Sequence, residues 1–246
     1  SPSIAIPSLA PAMCRWNDLI CVADYGVGVH LLPATGAPTL LAGPAGLGDC
    51  MVRALAAAGD DLYIGLPTVL MKWHRGETAA TVELNLKSEL AGVPIRKDSE
   101  VVSLLTDPKG ERLYMLIRMG GKQGSEFSML GMNVSSRQWK EVGRQKLGDG
   151  DSCKYVEGLL DDTRALVVGT QNFFPVGICP YQYIGRFCPE GEQFAAFSDQ
   201  QKPPKLVIPE VFTRGKIVAC AIPYRGGTLA IVADRVHYFT EVPAVP

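Results

Sequence analysis

The sequence predicts an all-β fold, a β-propeller of five blades with about four antiparallel strands in each blade. A unit made of an apolar run, a polar turn and a second apolar run recurs about every 50 residues, and repeats of this period are typical of stacked or circular arrays. Most runs are short, rich in Val, Ile, Leu and Tyr, and bounded by Gly, Pro and Asp, as strands are. Helical periodicity is nearly absent. We therefore expect a single propeller domain that spans residues 1–246.

The five units place their strands in the same order. The inner strand of each unit is predicted at 11–14, 52–56, 101–105, 156–160 and 217–222. Second strands follow at 19–22, 62–64, 113–117, 165–168 and 229–232, and third strands at 27–32, 69–74, 128–134, 181–187 and 235–240. A more variable fourth strand is predicted at 39–42, 80–86, 139–143 and 193–197. Residues 46–59 contain good helix formers but occupy the place of an inner strand, so we interpret them as a strand; residues 84–90 are compatible with one helical turn.

The two ends of the sequence suggest how the ring closes. The fifth unit has no obvious fourth strand, while the N-terminal residues 3–7 form an apolar segment that belongs to no unit. Pairing this segment with the last unit would supply its outermost strand, close the ring and remove two exposed sheet edges. The alternatives are an open pair of β-sandwiches or a fragment of a six- or seven-bladed ring.

One unit resembles a named family. In residues 112–143 an apolar strand runs to the pair Gly120-Gly121, a loop leads to a second strand, and Trp139 follows the end of that strand. This layout resembles a kelch repeat, and the resemblance is confined to this unit. It implies a kelch-like propeller, and kelch propellers commonly bind proteins.

The bulk composition excludes several classes of function. A hydrophobic content of 47% and a charged content of 20% are ordinary for a globular protein. A net charge of −1 argues against a nucleic-acid partner, because phosphate-driven binding needs clustered Lys and Arg. No stretch of about 18 apolar residues is present, so no membrane span is expected. No nucleophile elbow, phosphate loop, dinucleotide fingerprint or zinc spacing is present, and we predict no cofactor and no metal.

The cysteines and one sequon bear on the compartment. The seven cysteines are an odd number, which leaves at least one thiol unpaired or bridged to another chain. Cys179 and Cys188 flank a predicted loop, and Cys14 and Cys21 lie on consecutive runs, so each pair is a disulfide candidate; burial as small apolar side chains is the alternative. Asn133 opens a glycosylation sequon. These features favour a secreted or extracellular protein, with a cytoplasmic protein as the alternative.

Candidate binding residues come from the loops that join second to third strands and fourth strands to the next inner strand, because these loops gather on one face of a propeller. The candidates are Asp24, Tyr25, Asp49, Arg118, Asp151, Phe173, Phe174, Tyr181, Asp234 and Arg235. Phe173, Phe174 and Tyr181 belong to a long excursion of the fourth unit, a composition typical of a partner surface.

The aspartates recur at equivalent places, with Asp24 and Asp234 after second strands and Asp49 and Asp151 before inner strands. Carboxylates around a channel mouth could hydrolyse a glycoside or bind Ca²⁺, but Asp at a strand end more often caps a turn, which is the interpretation we favour. The three histidines lie in third strands, where packing or solvent exposure is favoured over metal binding.

The sequence thus favours a non-catalytic binding module that engages a protein partner through the loops of one propeller face. A carbohydrate-binding, lectin-like propeller is the close alternative. A propeller glycoside hydrolase that uses channel-mouth aspartates is the competing class.

Overall fold

The computed structural model describes residues 3–5, 12–88, 93, 95–107, 109–120, 126–146, 156–160, 166–170, 182–188, 193–196, 218–224, 227–232 and 235–240. Within these residues the fold is all-β, with twenty strands and one single-turn helix, α1 at Pro44–Leu47. No helix among them is long and apolar enough to cross a membrane.

Three antiparallel sheets follow one another along the chain, each with four strands in sequence order. The first sheet consists of β2 (Met13–Trp16), β3 (Leu19–Asp24), β4 (Gly28–Leu32) and β5 (Thr39–Ala42). The second consists of β6 (Ala54–Ala58), β7 (Asp61–Gly65), β8 (Val69–His74) and β9 (Thr81–Asn85). The third consists of β10 (Ser99–Thr106), β11 (Arg112–Met119), β12 (Glu126–Asn133) and β13 (Trp139–Lys146).

The remaining strands form one sheet of eight. It consists of β14 (Val156–Leu160), β15 (Leu166–Thr170), β16 (Gln182–Cys188), β17 (Gln193–Ala196), β18 (Val218–Tyr224), β19 (Gly227–Val232) and β20 (Arg235–Thr240), with β1 (Ser3–Ala5) at one edge. The predicted fourth and fifth units are joined in this sheet, because their inner strands β14 and β18 pair in parallel at Leu159 and Ala221. The expected N-terminal strand is present: β1 lies antiparallel to β20, with Ser3 opposite His237.

Tight turns explain why the hairpins form where they do. The β2–β3 and β6–β7 hairpins each have a two-residue turn, since Trp16 pairs with Leu19 and Ala58 pairs with Asp61. The first turn residue has a positive φ in both cases, 55° at Asn17 and 58° at Gly59. Asn and Gly tolerate this conformation better than other residues, so the sequence specifies these turns locally.

The second sheet lies between the first and third sheets, and the burial of its side chains shows this. Leu62 and Ile64 of β7 pack on the first sheet, together with Cys21, Ala23 and other apolar residues. Tyr63, which points to the other side because strand side chains alternate, packs on the third sheet with residues of β10 and β11. Burial on both faces explains why residues 62–64 of β7 are consecutive apolar residues instead of alternating with polar ones.

Two stretches with helical composition have different outcomes. In residues 46–59 the predicted strand is confirmed at β6, but the stretch begins inside α1, because Pro44 opens a short helical turn ahead of it. The helical turn expected within residues 84–90 is wrong for residues 84–88, the part of this segment that the structure describes. Leu84 and Asn85 end β9, and residues 86–88 form a hydrogen-bonded turn instead.

Candidate functional site

One end of each sheet gathers the predicted site residues. Because neighbouring strands run antiparallel, the starts of the first and third strands meet the ends of the second and fourth strands at the same end of the sheet. We call this end the site face. In the first three sheets it includes Asp24 at the end of β3, residues 49–53 before β6, Glu100 in β10 and Arg118 in β11.

Asp24 lies on the site face but is not open to solvent. Its side chain is fully buried, with 0% exposure, and its Oδ2 lies 2.9 Å from Nε2 of His30. His30 is opposite Val22 in the register of β3 and β4, so the two side chains are diagonal neighbours on one face of the sheet. The second oxygen, Oδ1, is buried and has no hydrogen-bond partner among the described residues. The side chain therefore anchors a histidine rather than capping a turn.

Tyr25 and Asp49 lie where the turn after β3 meets the segment before β6. The Tyr25 hydroxyl donates to Sδ of Met51 at 3.2 Å, and the backbone N–H of Gly26 donates to the carbonyl of Cys50 at 2.8 Å. Asp49 accepts the backbone N–H of Met51 through Oδ1 at 3.0 Å, the hydrogen bond of a turn-capping Asp. Met51 remains 39% exposed, so this junction presents a tyrosine and a thioether to solvent.

Two arginines that are distant in the sequence form ion pairs with one glutamate. Nη1 of Arg53 lies 2.8 Å from Oε2 of Glu100, and Nη2 of Arg118 lies 2.7 Å from the same oxygen. Glu100 and Arg118 are directly opposite in the register of β10 and β11, while Arg53 directly precedes β6 of the second sheet. Each side chain is about one-third exposed, at 31%, 30% and 33% for Arg53, Glu100 and Arg118.

The arginines also hold the glutamate ionised. Partial burial raises the pKa of the Glu100 carboxyl, but the hydrogen bond and charge of Arg53, and then those of Arg118, outweigh it and hold this pKa below its usual range. Both arginines thus favour the ionised form of the Glu100 carboxyl.

A second charged cluster lies beside the first. Nη2 of Arg96 lies 2.9 Å from Oε2 of Glu126, Nη1 of Arg144 lies 3.4 Å from the same oxygen, and Nε of Arg144 lies 2.8 Å from Oε1 of Glu141. The hydrogen bond with Glu141 raises the pKa of Arg144, so the guanidinium stays charged. Among the described residues, these ion pairs join two positive and two negative side chains.

Sequence reasoning missed several of these residues, among them Met51, Arg53 and Glu100. The sequence did contain a signal for Arg53 and Glu100. Arg53 lies within the predicted inner strand 52–56, and Glu100 directly precedes the predicted strand 101–105, both at the end where Arg118 follows its own strand. Pairing the predicted strands would have placed Glu100 opposite Arg118, but no local pattern brings in Arg53 from the neighbouring sheet.

Several predicted residues lie outside the described part of the chain. They are Asp151, Phe173, Phe174, Cys179, Tyr181 and Asp234. The backbone of Arg235 begins β20 opposite Ala5 and Val232, and that of Cys188 ends β16 opposite Gln193. Their binding and disulfide roles stay predictions.

The other disulfide candidate has a clear geometry. Cys14 and Cys21 are directly opposite each other in the register of β2 and β3, as the sequence suggested. Both are buried free cysteines, and both belong to the apolar cluster between the first and second sheets. Their disulfide stays a prediction.

Asn133 ends β12 and is exposed at the turn that leads to β13. Its Oδ1 accepts the backbone N–H groups of Ser135 at 3.0 Å and Ser136 at 3.1 Å. The sequon thus lies on a solvent-facing turn, at the end of the third sheet remote from the site face.

Comparisons with known proteins bear on the fold. No family model and no curated protein matches the chain. The extracellular domain of a proposed one-component system from B. thetaiotaomicron is similar in structure, with a TM-score of 0.50 and 14% identity over 96% of this chain. A GH74 enzyme from Niastella koreensis has a TM-score of 0.44 and 12% identity over 76% of this chain. The chain spans 28% of the length of each of these two structures.

The first likeness shows the fold alone, and it agrees with a propeller-like, all-β arrangement of successive four-stranded sheets. The kelch resemblance of residues 112–143 stays a prediction. In the structure these residues form β11, β12 and the start of β13, and Trp139 packs against the apolar cluster between the second and third sheets.

Proposed function

We propose that the protein is a non-catalytic binding module, a five-bladed propeller that engages a protein partner through its site face. Propellers are rigid scaffolds that present loops around a common centre, and loops on rigid scaffolds commonly carry binding residues. The kelch-like unit is consistent with this proposal.

Closure of the ring by the N-terminal strand is part of the proposal. Leu229 and Val236 of the last strands pack with Met13, Ile20 and Val22 of the first sheet, so the end of the chain contacts its beginning. With β1 added to β20, β19 and β18, the last unit has four strands like the first three. These two features support five blades, because they give the first sheet a neighbour on each side.

The observation that carries the binding proposal is a strip of partly exposed side chains across three sheets. We call Tyr25, Met51, Arg53, Glu100 and Arg118 the contact strip. Tyr25 touches Met51, and Arg53 and Arg118 both bind Glu100, so side chains of different sheets position one another. Tyr, Met and Arg are the residue types enriched in the centres of protein interfaces. Side chains that are already held in place by hydrogen bonds lose less conformational entropy on binding.

The aspartates give less support to a glycoside hydrolase or a lectin. Paired acid and base carboxylates must reach the substrate from both sides of the scissile bond. Asp24 is fully buried against His30, and Asp49 is engaged in its own turn. We further propose that the protein is secreted, because the Asn133 sequon lies on an exposed turn where a glycan can be attached.

Affinity capture from an extract of the source organism, combined with a glycan array, tests the proposal. The wild-type protein is compared with the double variant Met51→Ala/Arg53→Gln and with the control Val82→Ala/Arg75→Gln. The control residues match in type: Val82 is an exposed apolar side chain, and Arg75 is exposed in the turn after β8, at the opposite end of the second sheet.

We expect a protein that is retained by the wild type and the control but lost with the double variant, and that binds the purified wild type directly. Strong binding to a glycan with no such protein would favour the lectin alternative instead. A partner retained equally by all three proteins would place the interface elsewhere and overturn the role of the contact strip.

A further inference from the structure

We propose that Met51 is an oxidation site, at which a hydroperoxide converts the thioether to a sulfoxide, and that Tyr25 directs the new oxygen to one side of the sulfur. The inference goes beyond the proposed function, because it concerns a chemical modification that needs no partner. Two observations carry it: Met51 is the exposed methionine of the chain, and its Sδ accepts a hydrogen bond from the Tyr25 hydroxyl at 3.2 Å.

Exposure separates Met51 from the other six methionines. All seven methionines lie in the described part of the chain, and Met51 is 39% exposed. An oxidant in solution reaches a buried thioether only when the fold opens locally. Oxidation of the folded protein should therefore be selective for Met51. The other six are at most 7% exposed, and they are Met13, Met71, Met115, Met119, Met129 and Met132.

The neighbouring thiol is a poorer target than the thioether. Cys50 directly precedes Met51 but is only 8% exposed. Burial, and then the charge of Asp49, raise the pKa of the Cys50 thiol, and the thiolate rather than the thiol is the reactive nucleophile. A methionine reacts as the neutral thioether and needs no deprotonation. Of these two adjacent sulfur atoms, the oxidant therefore attacks that of Met51 first.

Hydrogen bonds hold Met51 in one place. Its backbone N–H donates to Oδ1 of Asp49 at 3.0 Å, and the carbonyl of Cys50 accepts the backbone N–H of Gly26 at 2.8 Å. The Tyr25 hydroxyl fixes the end of the side chain through its hydrogen bond to Sδ. A thioether that is held in this way presents the same side to solvent, which is the condition for a stereoselective reaction.

A thioether sulfur has two lone pairs, and the one that reacts decides which of two sulfoxide epimers forms. The reacting lone pair attacks a peroxide oxygen, so that an S–O bond forms and the O–O bond breaks. The proton of the transferred oxygen passes to the departing hydroxide, which leaves as water. Sulfur loses two electrons and the peroxide gains them. Because the Tyr25 hydroxyl occupies one lone pair of Met51, the peroxide attacks the other, and one epimer forms in excess.

Oxidation at this position would change the contact strip. A sulfoxide is polar and chiral, whereas the thioether of Met51 is a flexible apolar group. The strip would lose its thioether surface, and a partner that packs on this surface would bind less tightly. This consequence rests on the proposed function, but the modification itself does not.

The experiment treats the folded protein with hydrogen peroxide and quantifies the sulfoxide at each methionine by peptide mass spectrometry. Two stereospecific methionine sulfoxide reductases, one for each epimer, are then applied separately to the digest and report the ratio of the two Met51 epimers. The wild type unfolded in urea, Tyr25→Phe and the control Tyr63→Phe are treated in the same way, and each variant is checked for a native unfolding transition. Tyr63 is buried in the apolar cluster between the second and third sheets, to which Met51 does not belong.

We expect Met51 of the folded wild type to be oxidised at least about tenfold faster than any other methionine, because the others react only through local opening. One Met51 epimer should exceed the other at least about threefold, the selectivity that a single hydrogen bond provides. Tyr63→Phe should keep both results. Tyr25→Phe should keep the fast oxidation but give nearly equal epimers, and the unfolded wild type should lose both kinds of selectivity.

The inference fails if a buried methionine is oxidised as fast as Met51, if the folded wild type gives equal epimers, or if the epimer excess persists in Tyr25→Phe or in the unfolded protein. Should Tyr25→Phe lack a native unfolding transition, the folded and unfolded wild type still provide the comparison. Only purified protein is needed, so loss of selectivity would remove this inference alone. Failure to capture a partner would remove the proposed function alone.

Discussion

Asp24 in the first sheet and Glu100 in the third sheet lie at the same end of their sheets, but their surroundings are opposite. Asp24 is fully buried and binds one histidine, whereas Glu100 is 30% exposed and binds two arginines. The first arrangement removes a carboxyl group from solvent, and the second leaves three ion-paired side chains in contact with solvent. Buried polar groups are costly to disturb, while exposed ion pairs contribute little to stability.

The difference indicates different roles for two carboxylates that lie at the same end of their sheets. We interpret Asp24 as a structural residue that fixes β4 on β3 through His30, and Glu100 as part of a surface that a partner can reach. The comparison predicts a ranking of stability losses that decreases from the apolar core, through Asp24 and Glu100, to the exposed sequon.

The largest loss is expected for Ile117→Ala. Ile117 is fully buried between the second and third sheets, directly precedes Arg118 and pairs with Val101, which follows Glu100. Truncation of a buried isoleucine leaves a cavity and should lower the free energy of unfolding by about 2–5 kcal/mol. Urea unfolding measures this free-energy loss, with Val82→Ala as the control at an exposed position. A loss no larger than that of the control would mean that the apolar interface does not support the charged site.

Asp24→Ala should have the second-largest effect. The substitution leaves His30 without its carboxylate partner and should lower the free energy of unfolding by about 1–3 kcal/mol. Asp24→Asn should cost less, because an amide oxygen can still accept from the imidazole. The exposed Asp18→Ala, in a turn of the same sheet, should stay within about 0.5 kcal/mol of the wild type. If Asp24→Ala matched Asp18→Ala, the buried pair would have no structural role.

Glu100→Gln should have a small effect that depends on pH. At neutral pH we expect a loss of less than about 1 kcal/mol, because the pair is partly exposed. The folded-state pKa of Glu100 is lowered, so its contribution is fully present above the unfolded-state pKa of about 4.3. It disappears as the pH falls through the lower, folded-state pKa. Unfolding of both proteins at several pH values should show curves that converge in acid. A difference that grows in acid would contradict the lowered pKa.

The smallest stability effect is expected at the sequon. Ser135→Ala removes the sequon but keeps Asn133, so the free energy of unfolding should change by less than about 0.5 kcal/mol. On expression through a eukaryotic secretory pathway, the intact mass of the wild type should include an N-linked glycan that Ser135→Ala lacks. The adjacent Ser136→Ala keeps the sequon and should keep the glycan. An unglycosylated wild type from that pathway would remove this support for secretion.

Much of the fold was predictable because strands and tight turns are encoded locally. Short apolar runs bounded by Gly, Pro and Asp located the inner strands β6, β10, β14 and β18 to within a few residues, and the spare N-terminal segment predicted β1. The single turn α1 was missed because four residues carry no helical period. The joining of β14 and β18 was also missed, since it depends on how closely two units approach.

The site was less predictable than the fold. Asp24, Tyr25, Asp49 and Arg118 were selected because they follow or precede strands, and the structure places them on one face. Their roles differ, because burial and long-range pairing separate an anchored Asp24 from a turn-forming Asp49 and from an ion-paired Arg118.

The sequence by itself determined the strand order, the turns at Asn17 and Gly59, and the place of each candidate residue relative to its strand, because these depend on the conformational preferences of neighbouring residues. Tertiary structure alone decided that Arg53 reaches Glu100, which lies 47 residues away, and that the carboxylate of Asp24 is closed off from water. Both outcomes depend on how sheets pack. A charge at a strand end becomes a buried anchor or a binding group only when a neighbouring sheet covers it or leaves it open.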